Sequence, residues 1–346
     1  MAPDEHGGDI YRHEGVRLDF SVNTHPSGMP ETVRAALVAQ VDLFARYPDP
    51  HCRELRAAIA AREGVPPDWV LCGNGAVDLI HRLCQASKPR TALVCAPTFS
   101  EYERALRQAG CRVMRHLLRR EDGFALTASL GEKLAPGLDV LFLCQPNNPT
   151  GRLIDAELLE QIVRRAAGNR TLVVVDECFL DFTCGQSAIG WLGGMPELVV
   201  LKAFTKTYAL AGLRLGYALS SNARRLAAIA AAAPCWNVSM PAQVAGVAAL
   251  ACPPAWLEDA RRLIVAERAF LAGRLRSLGI EVFPGEANFL LLRCNRPLHE
   301  PLLRRGILVR SCANFSGLDE TFYRIGIKTH PQNAELLRAI GETLDG

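Results

Sequence analysis

Short apolar runs alternate with longer segments of helical periodicity over the first two thirds of the chain. The run LVVVD at residues 172–176 is apolar up to its last position, which is typical of a strand covered on both faces. Similar runs predict strands over residues 70–72, 91–95, 112–116, 140–144, 171–175 and 198–201. The helical period predicts helices over residues 31–43, 52–62, 77–86, 100–108 and 155–167. This alternation favours βαβ crossovers, so we expect an α/β fold with a mostly parallel, doubly wound sheet.

The last third of the chain has a different order of elements. A long helical segment over residues 253–278 precedes four strand-like runs and a final helix. The runs cover residues 281–283, 288–293, 307–310 and 323–327, and the helix covers 332–344. We expect a smaller α+β domain here. The predicted division is an N-terminal arm over 1–30, a large domain over 31–235 and a small C-terminal domain over 236–346.

Composition and charge exclude several classes of protein. The chain has 346 residues, and its 39 Lys and Arg against 36 Asp and Glu give a net charge of +3. So small a net charge does not indicate binding to nucleic acid or to an anionic membrane. No apolar stretch approaches the length of a membrane span, and the first fifteen residues lack the apolar centre of a signal peptide. We expect a cytoplasmic protein with neither a nucleic-acid nor a membrane partner.

The twelve cysteines do not indicate a disulfide framework or a metal site. No C-x-x-C pair occurs, and most cysteines sit within apolar runs, where a thiol behaves as a small hydrophobic side chain. We therefore expect buried thiols in a reducing compartment and no bound metal.

Polar residues follow three of the predicted strands, at the ends where ligands gather in an open α/β sheet. Asn148 lies in the sequence PNNPTG after strand 140–144, Asp176 ends strand 171–175, and Lys206 follows strand 198–201. Each has an ordinary alternative when taken singly: a turn, a helix cap and a surface lysine.

Together these residues form the pattern of a pyridoxal-phosphate enzyme. Lys206 comes 30 residues after Asp176, and Arg214 follows it in the sequence GLRLG. A lysine amine can form a Schiff base with the cofactor, a carboxylate can keep the pyridine nitrogen protonated, and arginine can hold the phosphate. Upstream, Gly75 and Ala76 lie where a predicted strand ends and a helix begins. The N-terminus of a helix favours the binding of a phosphate group.

From about residue 6 to the last helix, the chain resembles the histidinol-phosphate aminotransferase group of fold-type I pyridoxal-phosphate enzymes. Within that group it is most similar to the threonine-phosphate decarboxylase branch. Three features carry the likeness to this branch. They are the arm sequence His6-Gly7-Gly8, the sequence RYPD at residues 46–49, which the wider group shares, and LLLRC at 290–294 followed by ILVRSCANFSGL at 307–318 and Tyr323-Arg324. The resemblance implies a fold-type I architecture, pyridoxal 5'-phosphate as cofactor, and a homodimer.

The resemblance also implies a role for each matching position around the cofactor. Lys206 would form the Schiff base, Asp176 would pair with the pyridine nitrogen, and Asn148 would donate to the phenolic oxygen. Phe99 would stack on the ring. The cofactor's phosphate would be held by Gly75, Ala76, Thr205 and Arg214, with Tyr47 reaching in from the other subunit.

The substrate, by the same resemblance, would be a small phosphorylated amino acid. Arg324 would bind its carboxylate, and Arg310 and His6, helped by Asn23, would bind its phosphate. The ordinary alternatives are that both arginines are surface residues of strands and that His6 belongs to a disordered tail. Phe99 could likewise be a core residue.

Three positions bear on how closely the chain follows this group. Ala203 replaces the usual serine and removes one donor to the cofactor's phosphate. Phe179 occupies a position at which the group often has a tyrosine, and the decarboxylases also tend to have phenylalanine there. His25 replaces the second asparagine of the usual N-x-N-P and could alter the phosphate pocket.

The activity implied by the resemblance is decarboxylation of L-threonine O-3-phosphate to (R)-1-aminopropan-2-ol O-2-phosphate, a step of adenosylcobalamin synthesis. Two alternatives stay open. The same residues could catalyse transamination of histidinol phosphate, or decarboxylation of L-serine phosphate. A regulator with a fused DNA-binding domain is disfavoured, because the chain has no room for one and no basic patch.

Overall fold

The computed structural model describes residues 6–345. Its strands are β1 (Leu18–Asp19), β2 (Val70–Gly73), β3 (Thr91–Ala96), β4 (Arg112–Leu117), β5 (Val140–Cys144), β6 (Leu172–Asp176), β7 (Leu198–Ala203), β8 (Gly216–Leu219), β9 (Glu281–Val282), β10 (Phe289–Arg293), β11 (Ile307–Leu308), β12 (Arg310–Ser311) and β13 (Phe322–Gly326). Its α-helices are α1 (Glu31–Ala39), α2 (Arg53–Glu63), α3 (Ala76–Ser87), α4 (Ser100–Gln108), α5 (Ala156–Gly168), α6 (Phe204–Thr207), α7 (Ala223–Ala231), α8 (Met240–Leu250), α9 (Ala255–Ser277), α10 (His299–Arg304) and α11 (His330–Asp345).

The largest sheet has seven strands in the order β2-β8-β7-β6-β5-β3-β4. Neighbouring strands from β7 to β4 are parallel, whereas β8 runs antiparallel to both β2 and β7. Every residue of β5 and β6 is buried, which explains their continuous apolar sequences. The predicted α/β fold with a mostly parallel sheet is confirmed. The strand β8 is absent from the predicted elements.

A second, antiparallel sheet has the order β12-β13-β10-β9, and its apolar residues share a core with α9 and α11. The prediction of one strand over residues 307–310 is wrong, because the chain changes sheet within it. There β11 pairs in parallel with β1 of the N-terminal arm, whereas β12 pairs with β13. The arm is therefore joined by backbone hydrogen bonds to the C-terminal part of the chain.

The helix α8 was not among the predicted elements, and it lies beyond residue 235. It packs against α1 and α2, and its Ala242, Ala245 and Ala249 belong to the same core as the large sheet. We therefore propose that the large domain extends to the end of α8, rather than to residue 235.

Within the described residues, one bent pair of helices meets the length and composition of a membrane span. Among residues 6–345, no single helix is long and apolar enough to cross a bilayer. Only α8 and α9 taken together pass on length and composition, and they are bent by 83° at their junction.

A buried ion cluster ties α2 to two strands of the large sheet. The Lys202 ammonium on β7 lies 3.0 Å from a carboxylate oxygen of Glu63 and 2.9 Å from one of Asp181. The Tyr217 hydroxyl on β8 donates to the same Glu63 oxygen at 2.5 Å. Two carboxylates raise the pKa of Lys202 above its ordinary value despite the opposing effect of burial.

We expect Lys202→Met to lower the free energy of unfolding by about 3–5 kcal/mol, because it leaves Glu63 and Asp181 buried without their cation. The measurement is urea denaturation followed by circular dichroism. Lys88→Met, at an exposed lysine, is the matched control. Equal midpoints for the two variants would contradict a structural role for the cluster.

Candidate active site

A cavity of about 460 Å³ lies between the carboxyl ends of the large sheet, the second sheet and the N-terminal arm. Its volume is in the range usual for sites that hold a small ligand. It brings together eleven of the residues singled out in the sequence: His6, Asn23, Ala76, Phe99, Asn148, Asp176, Thr205, Lys206, Arg214, Arg310 and Arg324. Among residues 6–345, no group of three or more His, Cys, Asp or Glu could hold a metal ion.

Asp176 ends β6 and is buried at the floor of this cavity. One carboxylate oxygen accepts a hydrogen bond from the Tyr102 hydroxyl at 2.6 Å, and the other accepts from the Cys178 backbone N–H at 3.0 Å. Burial, with the neighbouring carboxylate, raises the pKa of Tyr102 well above its ordinary value, so its hydroxyl keeps its proton. Tyr102 therefore fixes the direction of Asp176. The sequence analysis missed it, since no motif links two residues 74 positions apart.

Lys206 lies on the short helix α6, which follows β7 directly. Burial, and next the positive charge of Arg324, lower its pKa to about 8. Its Nζ lies 5.9 Å from the centre of the Phe179 ring. An amine with this pKa is partly neutral near pH 8 and can act as a nucleophile.

The start of α3 and Arg214 together form a cradle for an anion. Gly75, with a φ of 84°, caps α3, so the backbone N–H groups of the first turn face the cavity end of the helix. A Cβ on Gly75 would lie only 2.7 Å from an Arg214 guanidinium nitrogen. Glycine is favoured here because residues with a Cβ rarely adopt a φ of 84°, and the arrangement fits a phosphate group.

Two arginines of the second sheet face the cavity side by side. Arg310 on β12 and Arg324 on β13 are directly paired across the two strands. The Arg324 guanidinium donates to Asn148 Oδ1 and to the Ser21 carbonyl oxygen, both at 2.6 Å, and burial lowers its pKa to about 10. Arg310 donates to Asn314 Oδ1 at 2.8 Å. Both are buried, which contradicts the alternative of surface arginines.

His6, Phe99 and Asn23 line the cavity on the side of the arm. The His6 Nε2 lies 2.8 Å from a Glu101 oxygen, and its ring lies 6.1 Å from that of Phe99. Asn23 is buried, and its Oδ1 has no hydrogen-bond partner within the described part of the chain. An unpaired acceptor in a buried position marks a place where a ligand can donate.

Two of the singled-out residues lie outside the cavity lining. Gly75 borders it through Arg214, as described above. Tyr47 is 78% exposed and stacks on Trp236 with ring centres 4.5 Å apart, so it does not line the cavity of its own chain.

The three sequence departures have different positions. Ala203 and Phe179 line the cavity, but His25 does not. The His25 ring stacks on Trp256 at 4.2 Å, and burial lowers its pKa to about 4, so the ring is neutral at pH 7. His25 therefore packs the arm against α9 instead of altering the pocket.

Comparison with known proteins agrees with this geometry. Residues 16–340 match the family described as aminotransferase class I and II. The chain is 40% identical to the threonine-phosphate decarboxylase of Salmonella typhimurium, over 99% of this chain and 97% of that protein.

Two solved structures have a fold similar to that of this chain. The histidinol-phosphate aminotransferase of Clostridium acetobutylicum has a TM-score of 0.88 at 29% identity, covering 95% of this chain and 99% of that one. The L-threonine-O-3-phosphate decarboxylase of Porphyromonas gingivalis has a TM-score of 0.85 at 26% identity, covering 95% and 100%.

A buried glutamate next to the cavity floor makes the stability depend on pH. Burial raises the pKa of Glu177 from 4.5 to about 7. The unfolded chain loses this proton near pH 4.5 while the folded chain keeps it until about pH 7. Stability therefore falls as pH rises through this window.

Glu177→Gln should remove this dependence, because the amide can still accept from the Ala188 N–H and donate to the Ser187 hydroxyl. Between pH 5 and pH 8 the variant should gain about 1–3 kcal/mol of unfolding free energy relative to the unmodified enzyme. Denaturant titrations at both pH values measure this, with the exposed Glu258→Gln as control. A constant difference between variant and parent at both pH values would show that Glu177 does not titrate in this range.

Proposed function

Since the chain belongs to the aminotransferase class I and II family and uses pyridoxal phosphate, we propose that it decarboxylates L-threonine O-3-phosphate. The observation that carries this proposal is the pairing of Arg310 with Arg324 across β12 and β13. Directly paired residues lie about 5 Å apart at Cα and share a face of the sheet. Two neighbouring guanidiniums match a substrate with two anionic groups on adjacent carbons. Threonine phosphate has a carboxylate on Cα and a phosphate on the Cβ oxygen, whereas histidinol phosphate has no carboxylate.

The cavity has suitable groups for the cofactor. Bound pyridoxal phosphate supplies an electron sink for the bond that breaks at the substrate Cα. Lys206 would attach it, and Asp176, oriented by Tyr102, would pair with its pyridine nitrogen. Asn148 uses its Oδ1 for Arg324, so its amide N–H groups remain to donate to the phenolic oxygen. Phe99 would stack on the ring. The phosphate would be held by the Gly75 and Ala76 amides, Thr205 and Arg214.

The residues of this chain then determine which substrate bond is broken. Arg324 would hold the carboxylate, and Arg310 and His6 would hold the phosphate, with Asn23 on the same side of the cavity. A group leaves Cα readily only when its bond stands perpendicular to the cofactor ring. These contacts would favour that direction for the Cα–carboxylate bond, and Lys206, whose pKa is about 8, would then deliver a proton to Cα.

A homodimer in the cytoplasm is part of the proposal. Tyr47 and Trp236 form an exposed aromatic pair, and Val38 and Val41 are exposed nearby in sequence. An apolar surface of this kind indicates an interface, and a two-fold dimer would bring Tyr47 to the phosphate in the site of the other copy. Nine buried free thiols agree with a reducing compartment. The product would serve adenosylcobalamin synthesis.

The deciding experiment supplies the purified enzyme, loaded with pyridoxal phosphate, with each candidate substrate. We expect carbon dioxide release from L-threonine phosphate. With L-serine phosphate, which lacks one methyl group, kcat/KM should be about tenfold lower. Histidinol phosphate with 2-oxoglutarate should give little glutamate. Lys206→Ala is the inactive control. Glutamate formation without carbon dioxide release would replace the decarboxylase with the aminotransferase.

Arg310→Lys should raise KM for L-threonine phosphate by about 10–100-fold, because a lysine cannot reproduce the two parallel hydrogen bonds of a guanidinium. The absorbance of the bound cofactor should stay the same, and free L-threonine should be a poor substrate for both proteins. Arg305→Lys, at an exposed arginine of the same domain, is the control. Equal kcat/KM for phosphorylated and free threonine would refute the phosphate site.

A further inference from the structure

Glu101 is a buried carboxylate at the wall of the cavity for which the proposed reaction has no use. It lies in the first turn of α4 and is 5% exposed. One of its oxygens lies 2.8 Å from His6 Nε2, and the other lies 3.1 Å from His81 Nε2 on α3. An Arg104 nitrogen lies 3.4 Å from the oxygen that His6 contacts. The hydrogen bond from His6, above all, lowers the pKa of Glu101 to about 2, so it is ionised at neutral pH.

The arm that carries His6 is fastened at a second point. The Gly8 backbone N–H donates to the Ser21 hydroxyl at 2.8 Å. A Cβ on Gly7 would lie 2.1 Å from the Ser21 carbonyl oxygen, which itself accepts from Arg324. Residues 6–8 therefore run across the cavity from Glu101 to the substrate arginine, and only glycine fits at their second position.

We propose that Glu101 is a positioning residue that docks the arm and so places His6 for the phosphate of the substrate. His6 and His81 each occupy one carboxylate oxygen, so His81 restrains the carboxylate while His6 is held by it. When the Nε2–H of His6 donates to Glu101, Nδ1 is the ring nitrogen left for the substrate, and it donates to a phosphate oxygen in the form of the imidazole that carries both protons. The docking follows from the contacts alone, whereas the effect on substrate binding rests on the proposed function.

The charge of Glu101 is compatible with an anionic substrate close by. Donors from three segments face it: His6 of the arm, His81 of α3 and Arg104 of α4. These groups occupy both carboxylate oxygens and offset the negative charge. If Glu101 merely repelled the phosphate of the substrate, neutralising it would lower KM instead of raising it.

The test uses the full-length enzyme with its cofactor and the variant Glu101→Gln. Glutamine has the same shape but one acceptor oxygen, so it can accept from only one of the two imidazoles. Without substrate, we expect hydrogen exchange at the backbone amides of residues 6–8 to become about tenfold faster. With L-threonine phosphate, we expect KM to rise about tenfold, kcat to change less than twofold and the cofactor absorbance to stay the same.

Two comparisons separate positioning from a general structural role. In a His6→Ala background, adding Glu101→Gln should change KM less than twofold, because the contact is already lost. Glu103→Gln is the matched control, since Glu103 lies on the same helix and pairs with Arg107 and Arg115 outside the cavity. It should alter neither hydrogen exchange in the arm nor KM.

Three results would overturn the proposal: unchanged exchange in residues 6–8, a lower KM in Glu101→Gln, or independent effects of His6 and Glu101 in the double variant. Faster exchange in an enzyme that does not turn over L-threonine phosphate would support the docking and refute the proposed function instead.

Discussion

The guanidinium of Arg324 is the contact on which the geometry of the cavity depends. It stands on β13 of the second sheet, donates to Asn148 after β5 of the large sheet, and donates to Ser21 of the N-terminal arm. One buried cation thus joins the three parts of the chain that form the cavity. Because its burial disfavours the charge, these contacts and an incoming anion are what compensate for it. A cavity lined by such a cation favours an anionic ligand.

The electrostatics of the cavity extend from the same residue. Arg324 helps to lower the pKa of Lys206, and it donates to the side-chain Oδ1 of Asn148, which leaves the Nδ2 group of that side chain as the proposed donor to the cofactor. The lining contains five lysine and arginine side chains against the two carboxylates of Asp176 and Glu101. Asp176 is held by Tyr102 and Glu101 by two imidazoles, so each carboxylate has a fixed direction. The remaining positive charge suits the phosphate of a cofactor and the two anions of a substrate.

The sequence predicted those features that have a local cause. The strand over 140–144 is found with the predicted bounds, because an apolar run covered on both faces leaves a plain pattern. The helix α8 was missed because it is apolar on nearly every face and has no period to detect. The split between β11 and β12 depends on pairing with β1, far away in the chain. Tyr102 and Glu101 were missed for the same reason, since their partners are 74 and 95 positions distant.

The two arginines proposed to bind the anions of the substrate lie on the second sheet, while Asp176 ends a strand of the large sheet and Lys206 follows another. The spacing of Arg310 and Arg324 is fixed by their strand pairing, and this would set the direction of a substrate bound between them. The angle between that direction and the cofactor plane depends instead on how the two sheets are held together. Decarboxylation and transamination differ only in which Cα bond stands perpendicular to that plane. Under the proposed function, the contacts that join the sheets, Arg324 with Asn148 above all, would therefore govern the choice of reaction as well as the binding of the substrate.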